Sequence, residues 1–283
     1  MTTPVDLPYF DMILTALEKR RPGLSATFGH HVHWGYWGFG DRPDGSIEGF
    51  AAASERLSRR VCEAGGVRDG IRILDAGCGL GGTSASIDAR FEGVDLTGLN
   101  IDPRQLAIAR ERVCARAEVG NRVAFVEGDA CAMPFPDASF DVVLAVECAF
   151  HFPSRERFLR EARRVLKPGG TLALSDFVPP GILVPPLRGF EALFGQYVMR
   201  AIGHVDVHTT LGDYRALAAA AGLVAVREDD ITENTMPTYP VLRRLVDETG
   251  LTRSKAHLWI TALEGASRAR ALRYMILSFE ART

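Results

Sequence analysis

The chain has 283 residues, 47% hydrophobic and 24% charged, with a formal net charge of −2. That balance predicts an ordinary soluble globular protein, either two units or one large domain with an insertion, with apolar residues enough for a sizeable core. It excludes a global basic field for nucleic acid, and no apolar run approaches the ~20 residues of a membrane span. No basic stretch joined to an apolar run opens the sequence. The five cysteines (Cys62, Cys78, Cys114, Cys131 and Cys148) are scattered, with no Cys-x-x-Cys. Free thiols in a reducing cytoplasm are expected.

Up to about residue 40 the chain reads as irregular and aromatic, ending in "HHVHWGYWGFG" from His30 to Gly40. A metal centre needs three or four converging ligands. His30, His31 and His33 are too close in sequence to point one way, and no cysteine or carboxylate lies beside them, so no metal is expected. The aromatics have no adjacent apolar helix or basic cluster, which argues against a membrane anchor. From Ile47 to Ala64, apolar residues recur at helical spacing (Phe50, Ala53, Leu57, Val61), and Gly65-Gly66 ends the run.

The period then changes. "IRILDAGCG" predicts a buried strand, "TSASIDARF" a short helix, and "GVDLTGLNI" a second strand. "PRQLAIARERVCARAEVG" predicts a helix opening on Pro103. "RVAFVEGDA" and "FDVVLAVECAF" predict strands three and four, with a helix from about Ser154 to Leu166. "TLALSDF" is strand five, after a "PGG" turn. Residues 178–210 carry two Pro-Pro pairs and predict an inserted cap. A helix over Leu211–Ala221 follows, then "LVAVREDDI" and "RYMILSFEA" as strands six and seven, with a helical insertion between them.

Strands alternating with helices imply an α/β fold, a mostly parallel seven-stranded sheet with helices on both faces. The organisation expected is a strap and helix over 1–64, a nucleotide-binding core over 65–177, the cap over 178–210, and the rest of the core with its second insertion over 211–283. In the cap, Phe190, Leu193, Phe194, Tyr197 and Met199 are expected to line an apolar pocket. His204 and His208 stand at i, i+4, but "HVDVH" is β-branched and alternating, which disfavours the helix a metal pair would need.

Gly77-Cys-Gly79-Leu-Gly81-Gly82 follows the first strand. Glycines there let backbone approach a ligand, and the helix start beyond offers unpaired N–H groups. Asp75 precedes the loop. A carboxylate at that point repels a pyrophosphate and suits a cationic group such as an ammonium. Asp95 lies where a dinucleotide site would want its ribose acid, about 20 residues on. Strand pattern continues beyond it to Asn100, so Asp95 reads as mid-strand and Asn100 as the strand tip.

In combination, "ILDAGCGLGG", "GLNIDPRQLAIAR", "FVEGDACAMPF", "FDVVLAVECAFHF" and "FLREARRVLKPGG" resemble the motifs of class I S-adenosylmethionine-dependent methyltransferases, over about Ile71 to Asp176. With "ECAFHF" and the N-terminal "HWGYW", the chain is similar to the group that methylates sugars and polyketides, relatives of tocopherol and sterol methyltransferases. The resemblance implies S-adenosylmethionine as cofactor and a small, partly apolar acceptor. It implies that Gly77 and Gly79 pass under the methionine portion, with Asp75 on its amino group. Asn100 would meet the ribose with Gln105 in support, Ile101 would pack on the adenine, and Asp129 and the Ala130 N–H would bind its edge. Most of that family has an acid where Asn100 stands; an amide both donates to and accepts from hydroxyls.

The reaction implied is an in-line displacement of methyl from a sulfonium. Alignment of the reactants supplies ~7–11 kcal/mol, and a positioned base adds roughly 10²–10⁴-fold. The resemblance assigns the base to His151, with Asp176 supporting it, and gives Glu147 a contact to cofactor or acceptor. It makes "HWGYW" a flap over the cofactor, with Tyr36 in contact and Gly35 and Gly38 as hinges. The expected activity is O-methylation of a natural product. C-methylation of an isoprenoid, N-methylation, an NAD(P)-linked oxidoreductase and a non-catalytic nucleotide-binding module are the alternatives.

Overall fold

The computed structural model describes residues 11, 13–15, 31–185, 188–189, 205–249 and 253–282. The cap residues Phe190, Leu193, Phe194, Tyr197, Met199 and His204, and His30 of the strap, lie outside them.

A seven-stranded sheet runs in the order β3-β2-β1-β4-β5-β7-β6. Its strands are β1 (Arg72–Ala76), β2 (Asp95–Asn100), β3 (Arg122–Glu127), β4 (Phe140–Val146), β5 (Leu166–Val178), β6 (Leu223–Asp230) and β7 (Arg273–Ala281). Pairs from β3 to β5 are parallel, whereas β7 is antiparallel to both β5 and β6. All the strands read from sequence are present. The central ones are continuous apolar runs because both faces of the sheet are covered.

Three helices show how sequence sets the layers. Helix α1 (Ile47–Ala64) opens on Ser46, whose hydroxyl accepts from the Gly49 N–H. It buries Phe50, Ala53, Leu57 and Val61, each large one contributing about 1.5–3 kcal/mol. Helix α4 (Arg155–Val165) is capped by Ser154 and buries Phe158, Leu159 and Ala162 on the opposite face of the sheet. Helix α5 (Leu211–Ala221) has a full capping box between Thr210 and Asp213 and stops at Gly222 in the left-handed region. The short α2 (Gly82–Arg90) follows the glycine loop, and α3 (Pro103–Arg112) opens on Asp102 with Pro103 behind it. The helix expected to run on through residue 120 instead ends at Arg112. Val113 is extended there, and a separate turn over Ala117–Val119 closes on Gly120.

The insertion between β6 and β7 is α6 (Thr232–Thr235), α7 (Thr238–Thr249) and α8 (Arg253–Arg268). With α1 and the strap it forms a small core of Trp37, Phe50, Ala53, Val241 and Leu245. Strand order reverses between β1 and β4. Crossovers diverge there and leave a crevice beyond the carboxyl ends of the strands, where ligands bind in open α/β sheets. Among the described residues no helix is long and apolar enough to cross a membrane.

Candidate active site

One cavity fills that crevice, with about 930 Å³ of empty space, part of it open to solvent. Its walls come from the ends of β1, β2, β3 and β4 and from the strap. Asp75, Gly77, Gly79, Asn100, Ile101, Gln105, Asp129, Ala130, Glu147 and His151 all line it. Ten sequence-predicted positions therefore converge on one space. Three carboxyl side chains face it, and no lysine or arginine does among the described lining residues. Carboxyls with no cationic side chain beside them disfavour a pyrophosphate. A cationic ligand fits.

Each position has a local cause. The glycine loop is tied to β2, with the Gly77 and Cys78 N–H groups both donating to the Leu99 carbonyl at 2.8 and 3.1 Å. Gly79 has φ +53, and a Cβ built on it would meet nothing nearer than Gln105 Oε1 at 3.9 Å. The space beside it is open. At Gly77 a Cβ would strike Cys148 Sγ at 2.7 Å, so the glycine there lets β1 and the β4 turn approach each other. Asp75 is 1% exposed, and Ser84 Oγ donates to it at 2.8 Å. Burial, opposed by that hydrogen bond, pushes its carboxyl up to about 6.

At the β2 tip, Asn100 Nδ2 donates to Gln105 Oε1 at 2.9 Å, and Asn100 Oδ1 accepts from the Asp102 N–H at 3.3 Å. The amide is thereby oriented. Asp129 Oδ1 accepts from the Cys131 N–H at 2.7 Å, holding the turn after β3. Asp95 opens β2 at the far end from its tip and pairs with Arg72 and Arg122, away from the cavity.

Glu147 follows β4 with φ +50, a conformation that costs a non-glycine residue about 1–3 kcal/mol. Its N–H donates to Ser175 Oγ at 3.0 Å, and its Oε2 accepts from the Trp34 N–H at 2.9 Å and from the Tyr274 hydroxyl. Burial pushes the carboxyl up to about 8 although both hydrogen bonds oppose it. His151 sits half-buried in the next turn, ring to ring with Phe150 at 4.3 Å.

Two expectations need correction. Asp176 does not stand behind His151 in the cavity. It is wholly buried, ion-paired to Arg155 at 2.9 Å and bonded to the Tyr214 hydroxyl, with Arg155 bridging on to Asp206. Asp206 in turn donates its N–H to the Phe150 carbonyl at 2.8 Å, so the group braces the turn that carries His151. Tyr36 does not reach the cavity either; its ring lies over the Arg60 guanidinium at 5.6 Å. Gly35 has a packing reason of its own, since a Cβ there would strike Ala53 and the Trp37 ring at 2.7 Å.

The strap residues that do line the cavity are His31, Val32 and His33. Contrary to expectation, a carboxylate lies beside the histidines: Glu55 of α1 meets His31 Nε2 at 3.0 Å. His33 Nδ1 donates to the Trp34 carbonyl at 2.9 Å, and its Nε2 meets His31 Nδ1 at 3.1 Å and Ser58 Oγ at 3.0 Å. Burial, with His31 adding to it, takes His33 down to about 3, so it is neutral. Ser58 continues to Thr83 at 3.0 Å, at the start of α2. The ring nitrogens are thus engaged in hydrogen bonds.

Comparisons with known proteins accord with this geometry. Residues 74–174 match the family described as Methyltransferase domain. The chain is 37% identical over 244 residues to methyltransferase GfsG of Streptomyces halstedii, covering 82% of each. It is 37% identical over 217 residues to the 27-O-demethylrifamycin SV methyltransferase of Amycolatopsis mediterranei, covering 76% of this chain and 75% of that one. The crystal structure of geranyl diphosphate C-methyltransferase from Streptomyces coelicolor shares the fold with a TM-score of 0.70 at 18% identity, covering 98% of both chains.

Proposed function

The chain belongs to the class I S-adenosylmethionine-dependent methyltransferases, and from that premise we propose that it methylates a hydroxyl of a small, partly apolar natural product with His151 as general base. The observation that carries this is that Asp75, the glycine loop, Glu147 and His151 line one continuous cavity. S-adenosylmethionine fits the donor set: Asp75 is a buried carboxylate with no salt bridge among the described residues, and Gly79 leaves space beside it.

Asp75 would take the ammonium group, and the start of α2 at Thr83 the methionine carboxylate. Asn100, held by Gln105, would meet the ribose; Asp129, the Ala130 N–H and Ile101 would take the adenine. When bound, the cofactor supplies an activated methyl group on a sulfonium. The residues around it exclude water, align the acceptor and, through His151, remove the hydroxyl proton. The buried Asp176–Arg155–Asp206 group keeps the His151 turn in place. The segment 178–210 is assigned to the acceptor, in line with the relatives' natural-product substrates.

A second reading, transfer to carbon, is favoured by one observation. Glu147 places a carboxyl in the wall of the cavity, held by the Trp34 N–H and the Tyr274 hydroxyl, where it would steady a positive charge developing on carbon. Incubation with methyl-labelled S-adenosylmethionine and a panel of hydroxylated natural products, 27-O-demethylrifamycin SV among them, tests the proposal. Label on oxygen supports it. Cofactor binding with no transfer to any of the panel counts against it.

A further inference from the structure

The carboxyl of Glu147 is held by an unusual pair of donors. One is a main-chain N–H from the strap, at Trp34, 2.9 Å from Oε2. The other is the hydroxyl of Tyr274 on β7, bonded to the same oxygen. Among the described residues, no hydrogen bond reaches Oε1. Tyr274 is 1% exposed, and its phenol is clamped from several sides. Its ring stacks on Trp34 at 5.7 Å and meets Phe177 edge-on at 4.8 Å, and its oxygen lies 3.4 Å from Ser175 Oγ. Ser175 Oγ in turn accepts from the Glu147 N–H. The side chain and the left-handed backbone of Glu147 are therefore fixed by the same small group of residues on β5, β7 and the strap.

We propose that Tyr274 is a positioning residue for methyl transfer: by donating to Glu147 Oε2 opposite the Trp34 N–H, it holds the carboxyl with Oε1 left for the acceptor and favours its ionised form. This rests on the reading of Glu147 as part of the reacting site. The direction of donation is set by chemistry. Burial raises the phenol of Tyr274 well above its ordinary range, so it stays protonated and gives its hydrogen to the carboxyl. Both donors stabilise the carboxylate against the burial that disfavours it.

The charged and titratable neighbours are few. Tyr274 faces the carboxyl from β7, Tyr239 from α7 and Asp176 from β5, the last ion-paired to Arg155. Cys148 adjoins it in sequence, and Asp75 and His151 share its cavity. Asp176 works against ionisation of Glu147. The Tyr274 hydroxyl is the one side-chain hydrogen-bond donor to the carboxyl among the described residues.

The test uses the resting protein and needs no acceptor, so it stands apart from any failure to find methyl transfer. An infrared pH titration of the wild type follows the carbonyl band of a buried protonated carboxylic acid, and Glu147→Gln identifies which band is that of Glu147. In Tyr274→Phe the midpoint of that band is expected to rise by about one pH unit, the size of one lost charge-assisted hydrogen bond. Replacing Tyr274 with 3-fluorotyrosine, a stronger donor of the same shape, is expected to lower it, and this variant keeps the test valid if the phenylalanine protein misfolds. A midpoint that stays in place in the fluorotyrosine protein, or in a folded Tyr274→Phe protein, would overturn the proposal.

Discussion

Ser84 Oγ donates to Asp75 Oδ2 at 2.8 Å, and this is the one hydrogen bond that reaches that buried carboxylate among the described side chains. Burial pushes the group up to about 6, so an ammonium ligand must compete with a proton below that pH. The sign follows: the ligand binds the ionised form, so affinity is full above pH about 6 and falls as pH drops through it. S-adenosylhomocysteine affinity measured by calorimetry is expected to weaken by up to about tenfold per pH unit on the acid side. Asp75→Asn should bind more weakly at neutral pH and lose this dependence. A flat wild-type profile would remove Asp75 from the ammonium.

Gly79→Leu is expected to abolish S-adenosylhomocysteine binding. A side chain at φ +53 would project into the space that the glycine leaves open, and the strain adds about 1–2 kcal/mol of instability. Calorimetry reads the first effect and thermal unfolding the second. Binding within a few-fold of wild type would mean the ligand does not pass over this loop.

Arg155→Met would strip the partner from a wholly buried Asp176. The expected loss of stability is about 3–5 kcal/mol, measured by urea unfolding. Asp176→Asn should also destabilise, while the folded fraction keeps its affinity for S-adenosylhomocysteine. A stable Arg155→Met protein would contradict the bracing role.

Much of this site is local in sequence. Capping residues Ser46, Ser154 and Thr210 mark the starts of their helices, and the glycine loop announces itself after β1. What is not local was not legible. Arg155 is one arginine among several in "SRERFLREARR", and only tertiary packing singles it out as buried against Asp176. Glu55 meets His31 from a helix 24 residues away, and Tyr274 reaches Glu147 from a strand 127 residues on. Gly35 reads as a hinge in sequence, and its packing against Ala53 shows only in three dimensions.

The strap gives a test of its own. His31, Val32 and His33 line the cavity, while the Tyr36 and Trp37 N–H groups bond Ala53 and Asn234 at 2.8 and 2.9 Å. Hydrogen exchange over residues 31–35 is expected to slow when S-adenosylhomocysteine binds, with the interior of α1 unchanged. Equal protection with and without the ligand would leave the strap a static packing element.

The proposed chemistry is tested most directly by locating the transferred methyl group and comparing His151→Ala with the wild type. Incubation with methyl-labelled S-adenosylmethionine and an accepted hydroxylated substrate should give a product whose label sits on oxygen. His151→Ala should bind S-adenosylhomocysteine as the wild type does and turn over roughly 10²–10⁴-fold more slowly. Label on carbon, or a variant rate within about threefold of wild type where a base should matter far more, would contradict it.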